Sequence, residues 1–250
     1  VGIGDELMVT GVVRELQSKD PRRVRIQYEK LKRRWCDLWD NNPRIARHEE
    51  DGNFQILEPR FNYLRPYCSL KTATQWTWKP YRPPKGEIYF TSWELGFGEL
   101  NANRIIIGPT LKSGASPNKQ WGDENWKQLI RLLIDKGRVT QIGLLRPKVF
   151  PGVDFIQTSI RQAAAMIARA KVVICNEGAL HHIAAAVGTP CVTIFGGYIS
   201  PQVTGYDDQV SFFVGDDLGC GMRIPCNHCS AAMAEINPEQ VAEAAIRVMR

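Results

Sequence analysis

The chain opens VGIGDELMVTG, with an acid pair, Asp5 and Glu6, directly after two glycines. A carboxylate there either complements the positive end of a helix or acts as a base toward a bound substrate. A second group lies in KSGASPNKQW, where Lys112, Ser113, Ser116, Asn118 and Lys119 precede Trp121. Small residues let the backbone approach an anion, and the lysines can balance diphosphate charge. A third is VVICNEGALHHIAAAVG, in which Asn176, Glu177 and Gly178 turn an apolar run into an alanine-rich segment. Unsatisfied N–H groups at such a helix start, around Gly178 and Ala179, form an anion site, and His182 on the first turn can donate to the same anion. A histidine so placed is more often a satisfied structural group.

Neither glycine-containing loop has the G-x-x-x-x-G-K-[ST] spacing of a Walker loop, and the opening is not a G-x-G-x-x-G fingerprint. A fourth cluster, CGMRIPCNHC, holds Cys220, Cys226 and Cys229 with His228 between the last two. One C-x-x-C with a distant third cysteine is an incomplete ligand set, so no metal is expected.

The elements that must position these groups read clearly from residue 101 onward. Apolar runs RIIIGP, VTQIGLL, KVVICN and PCVTIFGG alternate with the helical patterns NWKQLIRLLIDKG, SIRQAAAMIARA and ALHHIAAAVG. That alternation specifies a parallel sheet covered on both faces, with ligands beyond the C-terminal ends of its strands. The earlier half is less regular. ELMVTGVVRELQ and KLKRRWCDLWD read as helices, and RRVRIQYE and NFQILE as short strands. Residues 60–84, rich in aromatics and prolines, read as a long connection wrapping over a cleft. Buried strands flank Cys175 and Cys191, which are expected to pack as small hydrophobes.

With 44% hydrophobic and 23% charged residues, the composition is that of an ordinary soluble globular protein. No apolar run is long enough to span a membrane, and an odd number of cysteines, seven, fits reduced thiols in a cytoplasmic setting. Residues 14–47 hold eleven Lys/Arg against five acids, an excess equal to the whole formal charge of +6. Arg22, Arg23, Arg33 and Arg34 lie in that segment, as a solvated helix face or as a surface for an anionic partner.

The order of the motifs resembles that of the heptosyltransferase-like glycosyltransferases of family 9. The resemblance runs through GIGDELMVTG, NKQWGDENWKQL, ARAKVVICNEGALHHIAAAVGTPCVTIFG and GYISPQVTGY to the tail IPCNHCSAAMAEINPEQVAEA. It implies an α/β, GT-B-like fold: two Rossmann-like parallel-sheet domains facing a cleft. Residues 1–100 would be a short, basic acceptor-side domain and residues 101–250 the nucleotide-sugar-binding domain. It implies Asp5 as general base, Lys119 on the donor diphosphate, Glu177 where the family has aspartate, His182 as the motif histidine, and Gly178 and Ala179 as backbone donors. Lys112 and Ser113 are further donor-binding candidates. Where relatives carry a ribose-binding glutamate, this chain has Arg161.

The implied reaction is inverting transfer from a nucleotide-diphospho-sugar co-substrate, with no cofactor. The absence of D-x-D argues that no divalent ion is needed. A saccharide of lipopolysaccharide type is the expected acceptor. The alternatives are a hydroxymethylated base in DNA, suggested by the basic segment, and a non-catalytic module binding nucleotide-sugars or nucleic acid.

Overall fold

The computed structural model describes residues 2–27, 34–58, 66–145 and 147–249. Its centre is a six-stranded, all-parallel sheet in the order β10-β9-β8-β5-β6-β7. The strands are β5 (Ile105–Gly108), β6 (Val139–Gly143), β7 (Asp154–Gln157), β8 (Val172–Asn176), β9 (Cys191–Gly196) and β10 (Val210–Phe213). From β5 the chain winds outward through β6 to β7, then returns beside β5 as β8 and winds the other way. The β5/β8 boundary is therefore the topological switch point, where a crevice opens beyond the strand ends.

Side-chain alternation sorts the core. Ile106, Val173 and Cys175 face one side, where they pack with α4 (Ile160–Ala168) and α5 (Ala179–Val187). Ile105, Ile107, Val172 and Ile174 face the other, against α3 (Asp123–Leu133) and α8 (Pro238–Val248). Both faces being covered explains why these strands are continuously apolar. Trp126, Leu129, Ile130 and Leu133 form the buried stripe of α3, and fully burying each aliphatic contributes about 1.5–3 kcal/mol.

The amino-terminal residues build a smaller unit. The helix α1 (Ile3–Gln17) precedes β1 (Val24–Ile26), which pairs in parallel with β2 (Gln55–Leu57) and bridges to Ile45. Among the described residues this is the extent of its parallel sheet. The helix expected over KLKRRWCDLWD is, in its described part, only a 3-10 turn at Asp37–Trp39; residues 30–33 lie outside the described set.

The expected irregular connection contains an antiparallel hairpin, β3 (Cys68–Thr72) and β4 (Gln75–Trp78). Further along is α2 (Ser92–Leu100), closed by a capping box between Thr91 and Glu94 and packed on α4. The carboxyl-terminal part adds α6 (Pro201–Thr204) and α7 (Asn227–Glu235). Helix α1 packs on α5, so Leu7, Val9, Val13, Val24 and Trp39 share one core with Ile106, Met166 and Ile183. Among the described residues no helix is long and apolar enough to cross a membrane.

Candidate active site

A cleft of about 600 Å³ opens at the switch point, lined by Gly2–Asp5 of α1, the loop after β5, the turn from β8 into α5, and the β3–β4 hairpin. At its floor Gly108 passes β8 closely: an added Cβ would stand 2.8 Å from that of Cys175. Asn176 Nδ2 donates to the Pro109 carbonyl at 3.2 Å and ties the two loops together.

Asp5 is buried in the wall of this cleft. Its Oδ2 accepts the Gly2 N–H at 3.0 Å, closing the first turn of α1, and its Oδ1 accepts the Tyr67 hydroxyl proton. The helix-start role is thus real, and it coexists with a place on the cavity surface. The neighbouring acid serves differently: Glu6 is fully buried and pairs with Arg34 at 2.7 Å. Lys112 also lines the cleft. An added Cβ on Gly2 would stand 3.2 Å from Lys112 Nζ and 3.3 Å from Asp5 Oδ2, so this lysine comes near the Asp5 carboxylate.

Lys119 and Glu177 meet across the cleft as a largely buried ion pair. Thr204 Oγ1 donates to the other carboxylate oxygen of Glu177 at 3.2 Å, and Lys119 Nζ stands 5.3 Å from the Tyr198 ring centroid. Burial pushes the Glu177 carboxyl up, but Lys119, His181 and the Thr204 hydroxyl together hold it below the usual range. Glu177 therefore anchors the lysine, and Lys119 carries the cation toward the cleft.

The start of α5 differs in detail from expectation. The Gly178 N–H is taken by His181 Nδ1 at 3.1 Å, so Gly178 is not an available anion donor. Because His181 Nδ1 accepts, its Nε2–H donates to the Thr204 carbonyl at 3.0 Å. The helix-opening N–H groups of Ala179 and Leu180 remain at the cleft, which both residues line.

His182 also lines the cleft, with Nδ1 2.8 Å from the Tyr206 hydroxyl. Burial, then the adjacent His181 and Lys119, push His182 well below the ordinary histidine range. A neutral ring accepting from Tyr206 at Nδ1 presents an Nε2–H donor, not a positive charge. Gly4 makes this placement possible, since an added Cβ would fall 2.3 Å from His182 Cδ2.

Ser113, on the same loop as Lys112, is exposed and not among the lining residues. Arg161, at the position implied for a ribose-binding acid, is a buried structural bolt outside the cleft lining. It pairs with Glu94 and donates to the carbonyls of Asp37, Asp40 and Tyr89.

Among the described residues, most arginines of the basic segment pair with acids of the same unit. Arg22 pairs with Asp20, Arg23 with Glu50, Arg34 with Glu6, Arg44 with Glu87 and Arg47 with Asp40. Arg33 lies outside the described residues. The expected solvated helix face is not formed in the described part of the segment, where the helical element is the 3-10 turn Asp37–Trp39.

The fold gathers the cysteine cluster more closely than its spacing in the sequence suggests. Ligand atoms of Cys220, Cys226, His228 and Cys229 all lie within 4.8 Å of one another. Cys220 Sγ is 3.8 Å from Cys226 Sγ and 3.0 Å from Cys229 Sγ. Zinc–sulfur bonds of about 2.3 Å in a tetrahedron place sulfurs about 3.8 Å apart; the Cys220–Cys226 spacing matches that value, and the Cys220–Cys229 pair stands closer. The hydrogen bond between Cys220 and Cys229 lowers the Cys220 thiol and raises that of Cys229, so the two share a proton. The second His/acid cluster, Glu177, His181 and His182, is already committed to the contacts above.

Sequence reasoning passed over Tyr67, Tyr206 and Thr204 as parts of this site. Tyr206 sits in the quoted GYISPQVTGY stretch, a usable signal; Tyr67 lies in the aperiodic run and gave none.

The family model for Glycosyltransferase family 9 (heptosyltransferase) matches residues 156–226. Lipopolysaccharide heptosyltransferase 2 of Escherichia coli K12 is 25% identical over 135 residues, covering 48% of this chain and 38% of that protein. Lipopolysaccharide heptosyltransferase 1 of the same strain is 27% identical over 107 residues, covering 38% and 34%. The chain thus spans well under half the length of these curated relatives.

Among solved structures, a family 9 glycosyltransferase from Veillonella parvula superposes with a TM-score of 0.64 at 13% identity. That match covers 99% of this chain and 94% of the other. The iron-containing dodecameric glycosyltransferase TibC of enterotoxigenic E. coli gives 0.62 at 13% identity, covering 99% and 73%. These structural likenesses speak for the GT-B-like α/β fold. Taken with the family model and the curated relatives, they show that this chain is similar to the heptosyltransferases of glycosyltransferase family 9, in sequence over part of its length and in fold over nearly all of it.

Proposed function

We propose that the chain transfers a sugar from a nucleotide-diphospho-sugar to an acceptor hydroxyl, with inversion at the anomeric carbon. The observation that carries this reading is the convergence, at one topological switch point, of a buried carboxylate (Asp5), a lysine (Lys119) and an open helix start (Ala179, Leu180). Asp5 takes the proton of the acceptor hydroxyl as its oxygen attacks C1, and the sugar–phosphate bond breaks on the opposite face. Lys119, the N–H groups of α5 and the Nε2–H of neutral His182 receive the charge of the departing diphosphate. Preorganised donors of this kind are worth several kcal/mol of barrier. No step needs a divalent ion at the diphosphate. An adenine diphosphate sugar is the first donor class to test, since TibC has been solved with ADP-D-beta-D-heptose.

A saccharide hydroxyl is the preferred acceptor, because internal pairing of the basic segment favours no polyanion such as duplex DNA. A cytoplasmic setting, where such donors are made and thiols stay reduced, belongs to the same proposal. The test is a screen of nucleotide-diphospho-sugars against saccharide and hydroxymethylated-DNA acceptors, with products read by mass spectrometry and no Mg²⁺ or Mn²⁺ added. Folded protein that neither transfers nor hydrolyses any donor would sink the reading. Transfer to DNA alone would replace the acceptor.

A second reading concerns the cysteine cluster, where four ligand atoms within 4.8 Å support a bound zinc or iron ion. TibC's being iron-containing points the same way. The ion would hold the 220–229 segment together, and elemental analysis of purified protein tests it. About one equivalent of metal, lost in Cys226→Ser, is expected; metal-free protein of full stability refutes it.

A further inference from the structure

Between the cysteine cluster and the donor loop lies one buried side chain, Asn118, whose amide is used almost completely. Its Nδ2 donates to the carbonyls of Met222 and Ile224, both at 2.7 Å, and its Oδ1 accepts the Cys226 N–H at 3.1 Å. All three partners are backbone atoms of the arc joining Cys220 to Cys226. Ser116 Oγ donates to the same Met222 carbonyl at 2.9 Å and accepts the Asn118 N–H at 3.3 Å. The far side of the arc is held by the hairpin: Trp76 N–H donates to the Gly221 carbonyl, and Arg223 N–H to that of Thr74.

Lys119 follows directly, as the last residue of the 3-10 turn Pro117–Lys119. A lysine side chain keeps four rotatable bonds, so where its ammonium group stands depends on how firmly its backbone is fixed. The tip of Lys119 is held by Glu177, but a bound diphosphate competes for that tip. The base of the side chain must then supply the aim. Asn118, one residue away and gripping a separate part of the chain, supplies it.

We propose that Asn118 is a positioning residue for donor binding: by clasping the 222–226 arc it fixes the turn that aims Lys119 into the cleft. The inference rests on the proposed donor-binding role of Lys119. Because the amide offers two N–H groups to two carbonyls and an oxygen to an N–H, neither aspartate nor leucine of similar size can replace it.

The test measures ADP affinity by calorimetry for the parent chain, Asn118→Ala, Lys119→Ala and the double variant. Asn118→Ala is expected to weaken ADP by about tenfold, comparable to losing one or two aimed hydrogen bonds. The double variant should bind no more weakly than Lys119→Ala alone, since groups acting through one another are non-additive. A purely structural defect would instead lower the fraction of binding-competent protein and leave the dissociation constant of the remainder unchanged.

Parental affinity in Asn118→Ala, or fully additive losses in the double variant, overturns the proposal. If Asn118→Ala does not fold, Ser116→Ala, which removes only bonds to the Met222 carbonyl and Asn118 N–H, decides: a loss of about two- to threefold is expected, and parental affinity overturns it. Parental ADP affinity in Lys119→Ala would overturn the donor reading itself. A weakened Lys119→Ala beside an unaffected Asn118→Ala removes only the positioning role of Asn118.

Discussion

Lowering the pH from 7.5 to 5.5 should destabilise this protein through the histidine pair of α5. His181 and His182 are buried side by side, ring centroids 3.9 Å apart, and burial holds both below the ordinary value of 6.5. In the unfolded chain both take up a proton as the pH falls through 6.5, while in the folded chain burial resists that protonation. The unfolded state then binds more protons, so stability is full above about 6.5 and falls with falling pH. One unit below that value a histidine kept neutral by the fold costs on the order of 1 kcal/mol. Urea unfolding at pH 7.5, 6.5 and 5.5, on the parent and on His182→Gln, checks it. The variant should be less stable at pH 7.5 but lose less on acidification, by on the order of 1 kcal/mol. Equal acid slopes in the two proteins, or a parent equally stable at pH 5.5 and 7.5, would refute the reasoning.

Asp5→Asn should lower turnover by about 10²–10⁴-fold with ADP affinity retained, and steady-state kinetics with calorimetry will separate the two; near-normal turnover would leave Asp5 only its helix-start role. Arg161→Met strands the Glu94 carboxylate, whose hydrogen bond from Arg161, against burial, holds it below its usual value; a loss of about 3–5 kcal/mol in denaturant unfolding is expected. Gly4→Ala drives a methyl group into the His182 ring, with an expected cost of about 1–3 kcal/mol and weaker ADP binding, both measurable on the same samples.

Much of the carboxyl-terminal sheet was legible because its physics is local. Ile105–Ile107 and Val172–Cys175 are apolar at every position, as strands covered on both faces must be. The edge strand β7 escaped because it is only half-buried, and the hairpin because its support is remote. Trp78 Nε1, for example, donates to the Tyr198 carbonyl 120 residues onward. Lys119, Glu177 and His182 could be picked by motif order, but that Glu177 would hold the lysine required the fold. Arg161 reads as a lost ribose contact until Glu94 is found beside it. The cysteine cluster was discounted on spacing, and only the curl of residues 220–226, clasped by Asn118, brings Cys220 to Cys229.

The core shared by α1 and α5 also bears on how such a chain can be divided or recombined. A cut near residue 100 would leave Ile106, Met166, Ile167 and Ile183 bare on one piece and Leu7, Val9, Val13 and Trp39 bare on the other. Neither piece would be a self-sufficient module. A chimera borrowing another protein's acceptor half would have to bring a helix with glycine opposite His182 and an apolar stripe matched to α5. The hairpin rim, where Thr74 and Trp76 line the cleft, can therefore be changed with less disturbance to this core than an exchange of whole halves would bring.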